Sequence, residues 1–139
     1  MQSIPEGFHS VTPYLTMRNA SDAINFYIRA FGATESERMV DPSGLIANAI
    51  IEIGDSKLLI RDETSDTPGP ESLGGTSVMI HLYVEDVDEI AKQAIAAGAK
   101  VLIPIADRFY GDRSGRLADP YGHIWIISTH LENGSKEQA

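Results

Sequence analysis

The sequence predicts an α+β protein built from two tandem copies of one βαβββ unit. Two observations carry this prediction: the chain repeats itself at both ends of two predicted helices, and three strand-like segments follow each helix. In the repeat, residues 17–19 match residues 84–86, and residues 32–33 match residues 98–99. A sheet with helices over one of its faces leaves the other face to be buried or to line a cavity.

The first copy begins with a strand rich in β-branched and aromatic residues, 12–17. Asn19 or Ser21 is suited to cap the helix that follows, and Gly32 is suited to end it. Three strands are predicted after this helix, and their ranges are Glu35–Val40, Leu45–Ile53 and Lys57–Asp62.

The second copy begins with the strand Val78–Val84. Asp86 and Glu89 form a capping box, and Gly98 supplies the left-handed position that ends the helix. The three strands predicted after it are Lys100–Ile103, Arg116–Ala118 and His123–Thr129.

We expect the 139 residues to form a single domain, which is a common size and sufficient for a hydrophobic core. The two units span about residues 10–63 and 77–131. Residues 64–76 join them and are rich in Ser, Thr, Pro and Gly without hydrophobic periodicity, which is typical of a linker.

Alternation along the strands places mixed polar and aromatic side chains on one face of each unit. In the second unit Met79, His81 and Tyr83 point away from the aliphatic face of Val78–Val84. In the first unit Tyr14, and likewise Asn48 and Glu52, occupy the equivalent face, and such a mixture suits a ligand cavity.

The composition excludes several classes of function. A formal charge of −9 disfavours nucleic acid and anionic membrane surfaces as partners. The absence of Cys excludes disulfides, thiolate nucleophiles and thiolate metal sites. No run is long and apolar enough to span a membrane, and residues 1–7 lack the pattern of a signal peptide, so we expect a cytoplasmic protein.

Four features of the chain resemble one known superfamily. They are the tandem pattern, the helix containing Phe26-Tyr27 and Phe31-Gly32-Ala33, the strand exit Val84–Asp88 and the motif Gly111–Trp125. That superfamily is the vicinal oxygen chelate superfamily, and within it the chain is most similar to the glyoxalase/bleomycin-resistance-protein/dioxygenase group and its phosphonate-operon-like subgroup. The resemblance covers roughly residues 10–131. It implies a curved, largely antiparallel eight-stranded sheet around a cavity, and a homodimer.

The resemblance also indicates where a divalent metal would be held, with ligands from the first and last strands of each unit. The matching positions are Thr12, Met79, Ile126 and either Leu59 or Ile60. Because such sites need imidazole or carboxylate donors, we predict no metal ion and no cofactor there. A displaced site using His81 with Glu52 falls short of the three protein ligands typical of catalytic zinc.

Several residues remain candidates for ligand contact, each with a structural alternative. Phe109 and Tyr110 lie in an irregular connection, where the resemblance implies an aromatic pair at the cavity mouth. Arg113 is either a clamp for a carboxylate or phosphonate, or part of a salt bridge to Asp112 or Asp119. His81 is either a ligand contact or a satisfied histidine, and Glu52 is either a general base or a cross-strand partner of Lys57 or Arg61. The complete set of predicted ligand-binding residues is Tyr14, Asn48, Glu52, His81, Tyr83, Phe109, Tyr110 and Arg113.

Two scaffold roles follow from the same patterns. His123 and Trp125 lie on the helix side of their strand by parity. We therefore expect Trp125 to pack in the core and its indole N–H to find a partner there.

Three functional hypotheses remain. The first is a metal-free protein that binds a small antibiotic-like molecule or metabolite of cationic or aromatic character, and the acidic composition favours a cationic ligand. The second is a glyoxalase-like lyase or epimerase with a displaced metal site. The third is an oligomerisation or regulatory module, since fold alone does not decide function.

Overall fold

The computed structural model describes residues 2–131, and this part of the chain forms eight strands and three helices. Their bounds are β1 Tyr14–Met17, α1 Ala20–Phe31, β2 Thr34–Val40, β3 Ile46–Ile53, β4 Ser56–Asp62, α2 Pro70–Leu73, β5 Met79–Tyr83, α3 Val87–Ala97, β6 Lys100–Asp107, β7 Asp112–Ala118 and β8 Ile124–His130.

The strands are hydrogen-bonded as two four-stranded sheets with the same connectivity, in the orders β1-β4-β3-β2 and β5-β8-β7-β6. In each sheet the first and last strands of a unit pair in parallel, and the other pairs are antiparallel. The predicted class, α+β with two βαβββ units, is confirmed. The boundary between the two compact units falls between Gly74 and Gly75, inside the predicted linker.

The first unit has its core between α1 and one face of its sheet. The helix buries a continuous apolar stripe that includes Ile24, Phe26 and Tyr27, and β3 alternates so that Ala49, Ile51 and Ile53 are buried. Alternation in a strand and 3.6-residue periodicity in a helix therefore produce one shared apolar layer.

The second unit repeats this arrangement with α3. The helix buries Val87, Ala91 and Ala94. The strands contribute three side chains that are about 1% exposed or less, those of Leu117, Trp125 and Ile127. The Asp86 side chain accepts a hydrogen bond from the Glu89 backbone N–H, which confirms the predicted cap of α3.

The start of α1 differs from the prediction. Asn19 adopts a left-handed conformation (φ 58°) and its side chain makes no capping hydrogen bond. Instead the buried carboxylate of Asp62, at the end of β4, accepts from the backbone N–H of Ala20 through Oδ1 and of Ile46 through Oδ2, both at 2.8 Å. A residue distant in sequence thus satisfies a donor that the helix leaves unpaired.

Other boundaries also differ. The predicted linker contains the short helix α2, and β6 and β7 extend to Asp107 and back to Asp112, so that they form a long hairpin. Val78, which begins the predicted aliphatic face of Val78–Val84, lies before β5 and is 63% exposed. No helix in residues 2–131 has the length and apolar character needed to cross a membrane.

Candidate binding surface of the second unit

The sheet of the second unit has a polar and aromatic face on the side opposite α3, and we call it the site face. Two rows of register partners cross it: His81, Ile126, Arg116 and Ile103 form one row, and Tyr83, Ser128, Ser114 and Ala106 form the other. Side chains of register partners project to the same face of a sheet. The alternation of Val78–Val84 predicted this placement of His81 and Tyr83.

A buried carboxylate organises one end of the site face. Asp112, 4% exposed, accepts a hydrogen bond from the Tyr83 hydroxyl at 2.8 Å through Oδ2. Its Oδ1 lies 2.9 Å from Nδ1 of His130, which is therefore the protonated ring nitrogen, since an ionised carboxylate only accepts. Both oxygens of this carboxylate are thus engaged.

A second group of hydrogen bonds lies beside those of Asp112. Ser128 donates to Ser114 at 2.8 Å, and Nε2 of His81 lies 2.8 Å from the Ser128 oxygen. Nε2 of His81 and the Ser128 hydroxyl therefore share a hydrogen bond within the sheet. The His81 ring also stacks on Tyr83, with 4.5 Å between ring centroids. These contacts fix the side chains of His81 and Tyr83, both of which were predicted to contact a ligand.

These contacts also shift two pKa values. Burial acts to raise the pKa of Asp112, but hydrogen bonds from His130 and Tyr83 outweigh it, and the pKa is lowered. The pKa of Tyr83 is raised, chiefly because its hydroxyl donates to Asp112, with burial and the charge of Asp112 acting in the same direction. The carboxylate is therefore kept ionised and the phenol neutral.

A cavity of about 230 Å³ opens beside this network. It lies at the hairpin of β6 and β7, and its lining residues are Ile103, Arg108, Tyr110, Ser114, Gly115, Arg116 and Ile126. Gly115 is required here, because a Cβ at this position would lie 2.5 Å from Cδ1 of Ile105 and 2.8 Å from the carbonyl oxygen of Ile103. Of the predicted aromatic pair, Tyr110 lines the cavity, whereas Phe109 is 79% exposed and does not.

Two arginines in the cavity wall were not predicted. Arg108 donates to the backbone carbonyls of Ser114 and Pro104, which fixes its side chain along the hairpin. Arg116 is different: its Nε is buried and has no hydrogen-bond partner among residues 2–131.

Arg113 projects to the other side of the same hairpin. It donates to both carboxylate oxygens of Asp88 on α3, at 2.9 and 3.0 Å, and to Asp107 at 3.1 Å. Hydrogen bonds to these two carboxylates raise its pKa. The salt-bridge interpretation describes this geometry, although the partners are Asp88 and Asp107 in place of Asp112 or Asp119.

Three predicted residues belong to the first unit. Tyr14 is 50% exposed and is the register partner of Leu59, and Asn48 has a buried Oδ1 without a partner in the described part of the chain. Glu52 lies opposite Lys57 in the register, as the cross-strand interpretation expects. The Lys57 ammonium, however, lies 5.5 Å from the centre of the Phe8 ring.

Trp125 and His123 support the turn before β8. Trp125 is 1% exposed and its indole N–H has a partner, as predicted; that partner is Oδ2 of Asp119 at 2.9 Å. Oδ1 of Asp119 accepts from the backbone N–H groups of Tyr121 and His123. His123 is buried. This part of the Gly111–Trp125 motif is scaffold.

The positions of the expected metal ligands carry the wrong donors. Leu59 is the register partner of the half-exposed Tyr14, whereas Ile60 is fully buried. Leu59 is therefore the fourth of the matching positions, and the other three are Thr12, Met79 and Ile126. Methyl, thioether and hydroxyl groups do not form a site for a hard or borderline divalent cation. Within residues 2–131, no three His, Asp or Glu side chains cluster in a way that could hold a metal ion.

The predictions missed Asp112, Ser114, Ser128, Arg108, Arg116 and His130. One signal for part of this set was available: if β7 had been extended back to Asp112, alternation would have placed Asp112, Ser114 and Arg116 on one face. The Gly and Ser residues in this segment are typical of turns and concealed the strand.

The sequence model of the Glyoxalase/Bleomycin resistance protein/Dioxygenase superfamily matches residues 7–127. Uncharacterized protein Rv0887c of Mycobacterium tuberculosis is 40% identical over 123 residues, which cover 85% of this chain and 72% of that protein.

Two solved structures illustrate the shared fold. TioX from Micromonospora sp. ML1 is 25% identical with a TM-score of 0.69, and the match covers 89% of this chain and 98% of TioX. The PhnB protein of Bacillus cereus, described as a putative 3-demethylubiquinone-9 3-methyltransferase, is 16% identical with a TM-score of 0.68, covering 87% and 99% of the two chains. The match of the family model to residues 7–127 shows that the chain belongs to the glyoxalase/bleomycin resistance protein/dioxygenase superfamily.

Proposed function

We propose that this protein binds a small molecule in the cavity of the site face and does so without a metal ion. One observation carries the proposal: Ile126, at a position where the family's enzymes would place a metal ligand, lines the cavity. A hydrocarbon side chain at that point offers a ligand an apolar contact and gives a cation no donor.

The cavity has the mixed character of a small-molecule site. Ile103 and Ile126 supply apolar wall, and Tyr110, Ser114 and two arginines supply polar groups. Its volume of about 230 Å³ is below the roughly 300–1,000 Å³ typical of sites for drug-sized ligands. It is therefore suited to one end of a ligand, while the exposed part of the site face, including His81 and Tyr83, contacts the rest.

The network beside the cavity favours binding over proton transfer. A general base works best when its pKa is near the operating pH. The pKa of Asp112 is lowered and that of Tyr83 is raised, so the first is a weak base and the second a weak acid. Both groups are suited to hold fixed hydrogen-bonding positions.

The test is a thermal-shift screen of natural products and basic antibiotics, run once with a metal chelator and once with added divalent metal. A ligand that binds the folded protein raises the melting temperature by mass action. We expect at least one compound to do so in wild type, and Tyr110→Ala to weaken the effect. Phe109→Ala is the matched control, because its ring is exposed beside Tyr110 and does not line the cavity. A screen without any shift, or shifts that require added divalent metal, would contradict the proposal.

A further inference from the structure

We propose that the cavity binds an oxyanion, a carboxylate or phosphoryl group of the ligand, through Arg116 with Arg108 beside it. This inference rests on the proposed function and specifies the chemistry of the ligand. The ligand expected here is an anion, whereas the formal charge of the whole chain, −9, favours a cationic ligand. Local groups decide affinity inside a cavity, whereas net charge acts mainly on long-range steering.

The state of Arg116 carries the proposal. Its Nε is buried and lacks a partner in residues 2–131, and Arg116 lines the cavity. A buried guanidinium N–H without an acceptor is unfavourable, because it has lost its hydration without replacement. An oxyanion in the cavity supplies a counter-charge to this guanidinium, whose planar shape suits two parallel hydrogen bonds to such a group.

The cavity keeps a positive charge, because the carboxylates of Asp107 and Asp112 are engaged elsewhere. The lining residues include two arginines and no acidic residue. Asp112 accepts from Tyr83 and His130, and Asp107 is paired with Arg113 on the other side of the hairpin. Neither carboxylate is hydrogen-bonded to Arg108 or Arg116 in the described part of the chain.

Arg108 and Ser114 complete the cavity. Carbonyl groups hold the Arg108 guanidinium in one position, so little conformational entropy remains to be lost when an anion binds near it. Ser114 lines the cavity and is held by a hydrogen bond of 2.8 Å to the Ser128 hydroxyl, so its position beside the arginines is fixed. Ile103 and Ile126 form an apolar wall, beside which a charge-assisted contact is stronger than in bulk water.

The experiment compares four probes that share a benzene ring: benzoate, phenyl phosphate, benzylamine and benzyl alcohol. Each is titrated into the full chain, and backbone amides of residues 113–117 and the arginine Nε–H resonances are followed by NMR. We expect benzoate or phenyl phosphate, or both, to give saturable shifts and benzylamine none. The two anions distinguish a carboxylate site from a phosphoryl site.

Arg116→Gln tests the contact, and Arg29→Gln on the exposed side of α1 is the control with the same loss of charge. We expect the anion affinity to fall at least about tenfold in Arg116→Gln and to change less than about twofold in Arg29→Gln. Arg116→Lys, which keeps the charge and loses the planar fork, should lie between wild type and Arg116→Gln and serves if the glutamine variant fails to fold.

The outcomes separate this inference from the proposed function. Saturable binding of benzylamine or benzyl alcohol at the same resonances, without binding of the anions, overturns the oxyanion and leaves a small-molecule site. Anion binding that is equally tight in all three variants overturns the role of Arg116. Absence of saturable shifts with every probe overturns the inference, and the proposed function then depends on the thermal-shift screen alone.

Discussion

Ile126 lies directly opposite Arg116 on neighbouring antiparallel strands, so a hydrocarbon side chain and a guanidinium share one row of the site face. The apolar partner cannot satisfy the Arg116 Nε, and this leaves a positive charge beside an apolar wall. The same row of the site face therefore lacks a metal donor, at Ile126, and carries the guanidinium that is proposed to bind an oxyanion, at Arg116.

The substitution Ile126→Glu tests this pair. We expect the new carboxylate to bind Arg116 and to lower the affinity for benzoate or phenyl phosphate at least about tenfold, since it occupies the guanidinium that the anion needs. Ile126→Gln, which has the same size without the charge, should retain affinity within about threefold. Titration by NMR measures both, and unchanged affinity in Ile126→Glu is inconsistent with an anion bound at Arg116.

Arg113→Gln should affect stability and leave ligand affinity unchanged. Arg113 pairs with Asp88 and Asp107 on the solvent-exposed side of the hairpin, so we expect only a small loss in the free energy of unfolding, as for other exposed ion pairs. Anion affinity should stay within about twofold of wild type, because Arg113 lies on the other side of the hairpin. Chemical denaturation and the NMR titration check the two parts, and a tenfold loss of affinity would restore Arg113 as a ligand clamp.

Asp112→Asn should destabilise the protein in a pH-dependent way. The amide of Asn cannot accept from both Tyr83 and His130, and we expect a loss of about 1–3 kcal/mol at neutral pH. The pKa of Asp112 is lowered in the folded state, so its contribution is present above the unfolded value of about 3.9 and is lost as pH falls through the folded pKa. The gap between wild type and variant should therefore narrow below about pH 4.

Urea denaturation across a pH series measures this gap. Asp66→Asn, in an exposed loop of the first unit, is the control and should change stability by less than about 0.5 kcal/mol at pH 7. A gap in Asp112→Asn that stays constant into acid would show that the charge of Asp112 does not stabilise the network.

Asp62→Ala and Asn19→Gly separate the observed cap of α1 from the predicted one. Removing the Asp62 carboxylate leaves the N–H groups of Ala20 and Ile46 without acceptors, and we expect a loss of about 1–3 kcal/mol for each buried donor. Asn19→Gly should change stability by less than about 1 kcal/mol, because Asn19 makes no capping bond and glycine suits its left-handed backbone. Thermal or urea unfolding measures both, and a larger effect from Asn19 would favour the local cap.

The sequence was informative where local periodicity decides structure. The duplication predicted two units with the same order of strands, and strand alternation placed His81 and Tyr83 on the site face. The parity of Trp125 predicted its burial and its need for a partner, which is Asp119. Each of these features depends on residues that are close in sequence.

Other features depend on contacts between distant residues, and the sequence did not reveal them. The cap of α1 is Asp62, 42 residues after Ala20, and only the folded sheet brings the two together. The partner of Arg113 on α3 is separated from it by 25 residues. Arg116 became a candidate only through its burial and lack of a partner, which depend on how the hairpin of β6 and β7 packs.

The most direct test of the central claim is elemental analysis of protein purified without an affinity tag. The side chains of Thr12, Leu59, Met79 and Ile126 provide no imidazole or carboxylate donor, so we predict substoichiometric content of every divalent metal. One equivalent of a bound divalent metal per chain would contradict the account and would favour the metal-dependent lyase.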